Sequence, residues 1–340
     1  MHVQDLTRLI ESVAPPQWSA SWDRGGVQVA ALRTEIRRLA VALDPTPELI
    51  DGALAWGAEF ILVHHPLSMK PELPSRPGDY HHVLGALFRG DAWLYAAHTS
   101  LDVQPSGPVR WLARELELTG VSVLEETARR TGRWFRVLGR PKAVDSVATA
   151  LAGLPEIELY FVAPQILEVV SLSGSSREVH QAVAQSGEPS LRVVSQDLDL
   201  PADPLGFGFV GDLPDPQPWL AFVQNLERIL GGPPRALAGN LPEAVQRVAC
   251  CPGSGASLLS SAGKSGAQAY VTGDFKYHDA QAVTERNMVV VDMGHFGLEE
   301  GMMRILAEDL RQKLKECSVE VAFFPGKDAF IPMAGTGGTG

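Results

Sequence analysis

In FILVHHPLSM, residues 60–69, an apolar run ends in two adjacent histidines and a proline. Neighbouring side chains of an extended strand point to opposite faces, and Pro66 cannot continue a central ladder, so the pair reads as a strand end. Asp102 follows a second expected strand in AAHTSLDV. In VVVDMGHFGLEEG a third strand ends at Asp292, and a glycine turn opens a helix. His295 and Glu299, spaced i and i+4, share one face of that helix, while Glu300 is rotated by about 100° away. Ligands of an open α/β sheet gather beyond the carboxyl ends of its strands. Three imidazoles and two carboxylates converging there suit Zn, Mn, Fe or Ni better than Ca or Mg. Each fragment also has an ordinary use, as a capped strand end, a surface pair or a helix-dipole partner. The pattern alone leaves both readings open.

Those residues need elements to hold them. The first 120 residues alternate helix and strand signals: VQDLTRLIESV as helix, IRRLAVALD as strand, TPELIDGALAWG as helix with Thr46 as N-cap, EFILVHH as strand, YHHVLGALFRG as helix, and AWLYAAHTSLD as a strand end. The last hundred repeat the rhythm through VQRVACC, AQAYVTGD, YHDAQAVTER, MVVVD, GLEEGMMRILAEDLRQKLKE and VEVAFF. This predicts the α/β class, with two sheet-and-helix halves at residues 1–131 and 206–332. Between them, 132–205 reads β, α, β, β, α, β, an inserted ferredoxin-like α+β domain. The charged EETARRTGR and the Pro/Gly/Asp-rich LPADPLGFGFVGDLPDP are expected as its linkers, and 333–340 as a flexible tail. CPGSGAS could cradle a phosphate or form a tight βα turn, and the turn is favoured because a full G-x-G-x-x-G is absent. His2, His81, His82 and His180 read as surface or packing residues.

With 29 Lys and Arg against 40 Asp and Glu, the formal charge is −11, so no general grip on nucleic acid or an anionic membrane is expected. No apolar stretch nears the roughly 20 residues that span a bilayer, and the first fifteen residues lack the pattern of a secretory leader. A cytoplasmic location is expected. Three cysteines, two of them adjacent, fit neither a disulfide framework nor C-x-x-C zinc spacing.

SWDRGGVQV, HHPL, HTSLD, TGDFKYHDA and GHFGLEE, in that order, resemble the signature blocks of the NIF-three-like proteins, also called GTP cyclohydrolase 1 type 2 homologues. The resemblance covers both outer regions. It implies two divalent metal ions per chain on His64, His65, Asp102, His295 and Glu299, with Glu299 bridging them, and a toroidal homohexamer around an internal cavity. Adjacent histidines that serve one metal each would explain why two stand side by side. Arg24 and Ser100 replace asparagines usual in the family, which touches substrate contacts rather than ligands. His98, Asp274 and His278 lie in matched blocks, where they could orient ligands or transfer protons; capping turns is the alternative for His98 and Asp274. The expected function is metal-dependent hydrolysis of a small anionic, nucleotide-like or phosphoester substrate through an activated water. GTP ring opening is the less favoured sub-case, and non-enzymatic metal storage, delivery or sensing is the alternative.

Overall fold

Strands that are apolar at every position belong inside a sheet covered on both faces. The segments Arg38–Ala42 and Phe60–Val63 are of this kind. Leu39, Val41, Phe60 and Leu62 enter one buried cluster, and Ala40, Ala42, Ile61 and Val63 enter another. The computed structural model describes residues 1–330 apart from 105, 155–156, 173–175 and 285, so the expected tail at 333–340 lies outside the described residues. It divides into two units, Met1–Glu125 with Gly206–Gly340, and Glu126–Leu205.

The first unit begins with α1 (Val3–Val13), β1 (Gly26–Val29), β2 (Arg38–Ala42), α2 (Pro47–Trp56), β3 (Phe60–Val63), α3 (Asp79–Gly90), β4 (Trp93–Ala96) and the short helices α4 (Thr99–Asp102) and α5 (Trp111–Glu115). Thr46 caps α2 by accepting from the Leu49 amide at 3.3 Å. After β5 (Thr119–Leu138) come α6 (Pro141–Leu151), β6 (Ile157–Ala163), β7 (Ile166–Ser171), α7 (Arg177–Gln185) and β8 (Arg192–Pro218). The chain ends with α8 (Trp219–Leu230), β9 (Ala236–Gly239), β10 (Ala244–Ser254), α9 (Leu259–Lys264), β11 (Ala269–Gly273), α10 (Tyr277–Val283), β12 (Val289–Asp292), α11 (His295–Leu314) and β13 (Glu320–Phe323).

In the first unit one sheet has the order β1-β4-β3-β2-β13, and a second holds β8-β10-β11-β12-β9. The central strands of each are parallel, with antiparallel partners at β1, β8 and β9. Helix α11 packs on β2 and β13 of one sheet and on β10 and β11 of the other. Its Met302, Met303, Leu306 and Leu310 join Leu62 and Val41 with Val271 and Val248 in one cluster. The site residues lie where this helix begins.

Two expectations are corrected. The sequence places VEVAFF in the C-terminal half, but β13 pairs in parallel with β2, Val321 opposite Leu39. The twenty residues of α11 carry the chain about 30 Å, from the end of β12 back to the first sheet, so the sheet of the N-terminal half is completed by a strand from the C-terminal half. The two linkers are also strand: the first lies in β5 and the second in β8, where Phe209, Val210 and Gly211 pair with Cys250, Ala249 and Val248. Charge and Pro/Gly content masked them, because turn composition is only a correlate of loop structure. Cys250 and Cys251 are buried and free, Cys317 is exposed and free, and no described helix is long and apolar enough to cross a membrane.

The second unit has its own buried cluster, built on Phe135, Val137, Val144, Val147, Leu167 and Val169. Replacing 126–205 by a short Gly/Ser turn should therefore leave a remainder that unfolds in one cooperative transition. Thermal unfolding followed by circular dichroism checks this, and a remainder without a transition would show that the first unit depends on the second.

Candidate metal centre

Position 64 continues the 60, 62 face of β3 toward α11, and His64 is fully buried there. The chain then leaves the strand, with the His64 and His65 amides both donating to the Leu43 carbonyl at 3.1 Å. Adjacent histidines can thus approach one centre from different directions. Glu299 sits on α11 among Leu298, Met302 and Met303, a position in the apolar stripe where a hydrophobic residue is the norm, and is 5% exposed.

The five predicted ligands come together around this carboxylate. Glu299 Oε1 lies 3.7 Å from His64 Nε2, which is also 3.7 Å from Asp102 Oδ1. Glu299 Oε2 lies 3.0 Å from His65 Nε2 and 2.8 Å from His295 Nε2. The two approaches to His64 are too long for hydrogen bonds, and His64 Nε2, His295 Nε2 and Glu299 Oε2 are all buried without a hydrogen-bond partner. Donor atoms around one zinc-sized ion stand roughly 3–3.5 Å apart. His65, His295 and Glu299 form one group that could hold a metal, and His64, His65 and His98 form another.

The other ring nitrogens explain the orientation. His64 Nδ1 meets the Ala97 carbonyl at 2.9 Å, and His65, His98 and His295 Nδ1 meet carboxylates of Asp44, Asp23 and Asp274, each at 2.7 Å. Those oxygens can only accept, so each Nδ1 must donate and each Nε2 is turned inward. Imidazoles that ligate metals are held in this way. Orphaned Nε2 atoms, an orphaned carboxylate oxygen and fixed tautomers together fit a divalent cation.

The cluster's ionisation shows what replaces that cation in its absence. Burial opposes protonation of His65, but Asp44 and Glu299 outweigh it and raise its pKa to about 10. Burial likewise opposes protonation of His295, and Glu299 and Asp274 raise it to about 9. Glu299 is pulled up by burial, yet His64, His295 and His65 hold it well below the carboxylate range. Burial and the charge of Glu299 raise Asp102 despite His64. Without a cation, the charge of Glu299 favours protonation of the rings that face it.

Several supports escaped sequence reasoning. Asp23, in the SWDRGG block, holds His98 Nδ1 and accepts from the Thr99 amide at 3.0 Å. Burial raises it, but His98 and Thr99 bring it down to about 2, so it stays an acceptor. Asp292, 7% exposed, accepts from the Phe275 and Gly294 amides, each at 2.9 Å, and so ties the turn of Asp274 to the turn of His295. Asp292 offered only a carboxylate at a strand end, and Asp23, in the loop before β1, offered no local signal. Gly253, in CPGSGAS, has φ +72°, and a Cβ there would stand 2.0 Å from Glu299 Oε1. Where a tight turn was the favoured reading, Pro252 and Gly253 instead lie in β10, at an irregularity of its pairing with β11, and the glycine lets backbone approach the carboxylate. His278 is exposed on α10, with Gln281 and Tyr277 as its partners. Glu300 faces elsewhere and accepts from the Gly326 amide at 2.8 Å.

The model of the Duf34/NIF3 (NGG1p interacting factor 3) family matches residues 1–329. The chain belongs to this family. Among similar proteins, the "GTP cyclohydrolase 1 type 2 homolog" of Halalkalibacterium halodurans is 27% identical, over 92% of this chain and 93% of that protein. The crystal structure of the Bacillus cereus protein related to NIF3 aligns with a TM-score of 0.81 at 24% identity, covering 98% of this chain and 99% of that one. Staphylococcus aureus protein SA1388 aligns with a TM-score of 0.71 at 21% identity, covering 98% of each chain. At these identities the solved structures show a shared Duf34/NIF3 fold.

Two outcomes are expected. Metal must displace protons from His65 and His295, so affinity for Zn²⁺ should rise from pH 7 toward about 9, near tenfold per unit for each proton displaced. Competition titration with a chelating dye measures this, and an affinity flat across that range contradicts the protonated cluster. In Gly253→Ala, left-handed strain of about 1–2 kcal/mol adds to the clash with Glu299. Elemental analysis should find that variant folded but depleted of metal.

Proposed function

We propose that this Duf34/NIF3 protein holds two divalent ions and is a metal-dependent hydrolase of a nucleotide-like or phosphoester substrate. The observation that carries the reading is the division of Glu299: Oε1 faces His64 beside Asp102, and Oε2 faces His65 and His295. In this reading His64, Asp102 and Oε1 would hold one ion, and His65, His295 and Oε2 would hold the other. When bound, such ions supply Lewis acidity and lower the pKa of a coordinated water.

His98 is assigned to proton transfer. Its ring centroid is 5.1 Å from that of His64 and 5.7 Å from that of His65, and Asp23 fixes its tautomer so that Nε2 can accept a proton. The alternative, His98 as a ligand with His64 and His65, is weaker because it leaves Asp102 and Glu299 Oε1 without a cation. Asp274 holds His295 in place, and exposed His278 takes no part. Trp22 is read as a substrate contact, supported by its 59% exposure and its edge-on approach to His98. The acidic chain leaves bound cations as the anchor for an anionic substrate.

The second unit is read as an inserted ferredoxin-like domain, supported by its β-α-β-β-α-β element order and its strand order β6-β7-β5-β8. A cytoplasmic homohexamer completes the proposal.

Elemental analysis and turnover separate the roles. Wild type should carry about two metals per chain, Asp102→Ala about one, and His98→Ala about two with turnover reduced 10²–10⁴-fold, the usual worth of a general acid or base. The assay is a panel of nucleotides and phosphoesters under metal-replete conditions. Metal loss in His98→Ala with none in Asp102→Ala would reverse the assignment. Full occupancy without turnover on any substrate would replace the hydrolase by a metal carrier or sensor.

A further inference from the structure

A cavity of about 840 Å³ opens along α11 within the first unit, and none of the five clustered residues lines it. Its volume falls in the range of small-molecule sites, roughly 300–1,000 Å³. Phe296, Glu300 and Arg304, at successive i+4 positions, bring one face of α11 to it, with Phe323 and Trp111 as further aromatic wall. Arg235 pairs with Asp328, and its guanidinium carbon lies 4.6 Å from the Phe330 ring centroid.

Two features point to a ligand. Glu300 Oε1 accepts from Gly326, but Oε2 is buried without a hydrogen-bond partner, an acceptor short of a donor. Gly297 lies inside the helix, where glycine is unfavourable, yet it is not at positive φ and a Cβ there would meet nothing within 4 Å. One turn later Gly301 has an evident reason, since its Cβ would stand 2.5 Å from the Trp111 ring. Gly297 has none except that it leaves the cavity open.

We infer that this cavity is a second small-molecule site, for a planar aromatic N-heterocycle with an anionic arm, of the size of a purine nucleoside monophosphate. The ring lies against the phenylalanines, where stacking and cation–π contact with Arg235 are available. An exocyclic N–H reaches Glu300 Oε2 once the carboxylate turns toward the cavity. The anionic arm reaches Arg304, which is exposed at this face. The site does not rest on the hydrolase reading.

The test is calorimetric titration of AMP into the full chain, with ribose 5-phosphate as the control that lacks the ring. With the metal centre disabled by His65→Ala, AMP should bind once per chain, and ribose 5-phosphate at least about tenfold more weakly. Gly297→Leu, which fills the open space and alters no polar group, should weaken AMP at least about tenfold with metal content unchanged. Glu300→Gln should weaken it as well, because one carboxamide must turn its N–H₂ toward either Gly326 or the ligand. The AMP site that remains in His65→Ala should be the one that Gly297→Leu weakens. No binding of AMP by the full chain overturns the inference. So does binding lost in His65→Ala but kept in Gly297→Leu, which places the nucleotide at the metal centre. If Gly297→Leu changes metal content or fold, Glu300→Gln decides: undiminished AMP affinity in that variant overturns the inference.

Discussion

A carboxylate buried in an apolar helix stripe is the constraint on which the rest of the structure depends. Glu299 sits in the row of Met302, Met303 and Leu306, where the two sheets meet across α11. Removing such a charge from water costs several kcal/mol unless partners compensate. Three imidazoles from two elements surround it, each turned by an acceptor on its far side. The charge of Glu299 favours protons on those rings; a divalent cation would satisfy the orphaned Nε2 atoms and the carboxylate together.

The layered fold makes this arrangement possible. Strand β3 ends where α11 begins, so His64 and His65 meet His295 and Glu299, which are over two hundred positions later in the chain. The irregular stretch of β10 at Gly253 brings the second sheet's backbone against the same carboxylate, and Asp292 locks two turns of that sheet together. Helix α11 then carries the chain across to the first sheet, where β13 closes its edge. Both sheets are thereby committed to one helix, and the centre is assembled only when all three layers are in place.

Much of the candidate site was legible in the sequence because its residues sit at strand ends and at helical i, i+4 spacing, patterns with short range and few alternatives. His64 and His65 could be placed from Pro66 and the apolar run, and Glu299 could be told from Glu300 by helix geometry. What was not legible depends on long-range contact. Asp23 and Asp44 are ordinary acidic residues until the fold brings them against His98 and His65. The partner of β13 could not be read because parallel pairing leaves no local signal. The strands at 125–133 and 200–216 were hidden by composition, since charge and proline content say nothing about which ladder a segment joins. Gly297 and the unpartnered Glu300 Oε2 gain meaning only from the cavity between them.

The central claim is that Glu299 bridges two cations. It is tested most directly by a crystal structure of the zinc-loaded protein with anomalous scattering measured at the zinc edge. Two anomalous peaks are predicted, about 3.5–4 Å apart as in paired sites. One should lie within bonding distance of His64, Asp102 and Glu299 Oε1, the other within bonding distance of His65, His295 and Glu299 Oε2. A single peak on His64, His65 and His98, with Glu299 contacting no metal, would contradict the account.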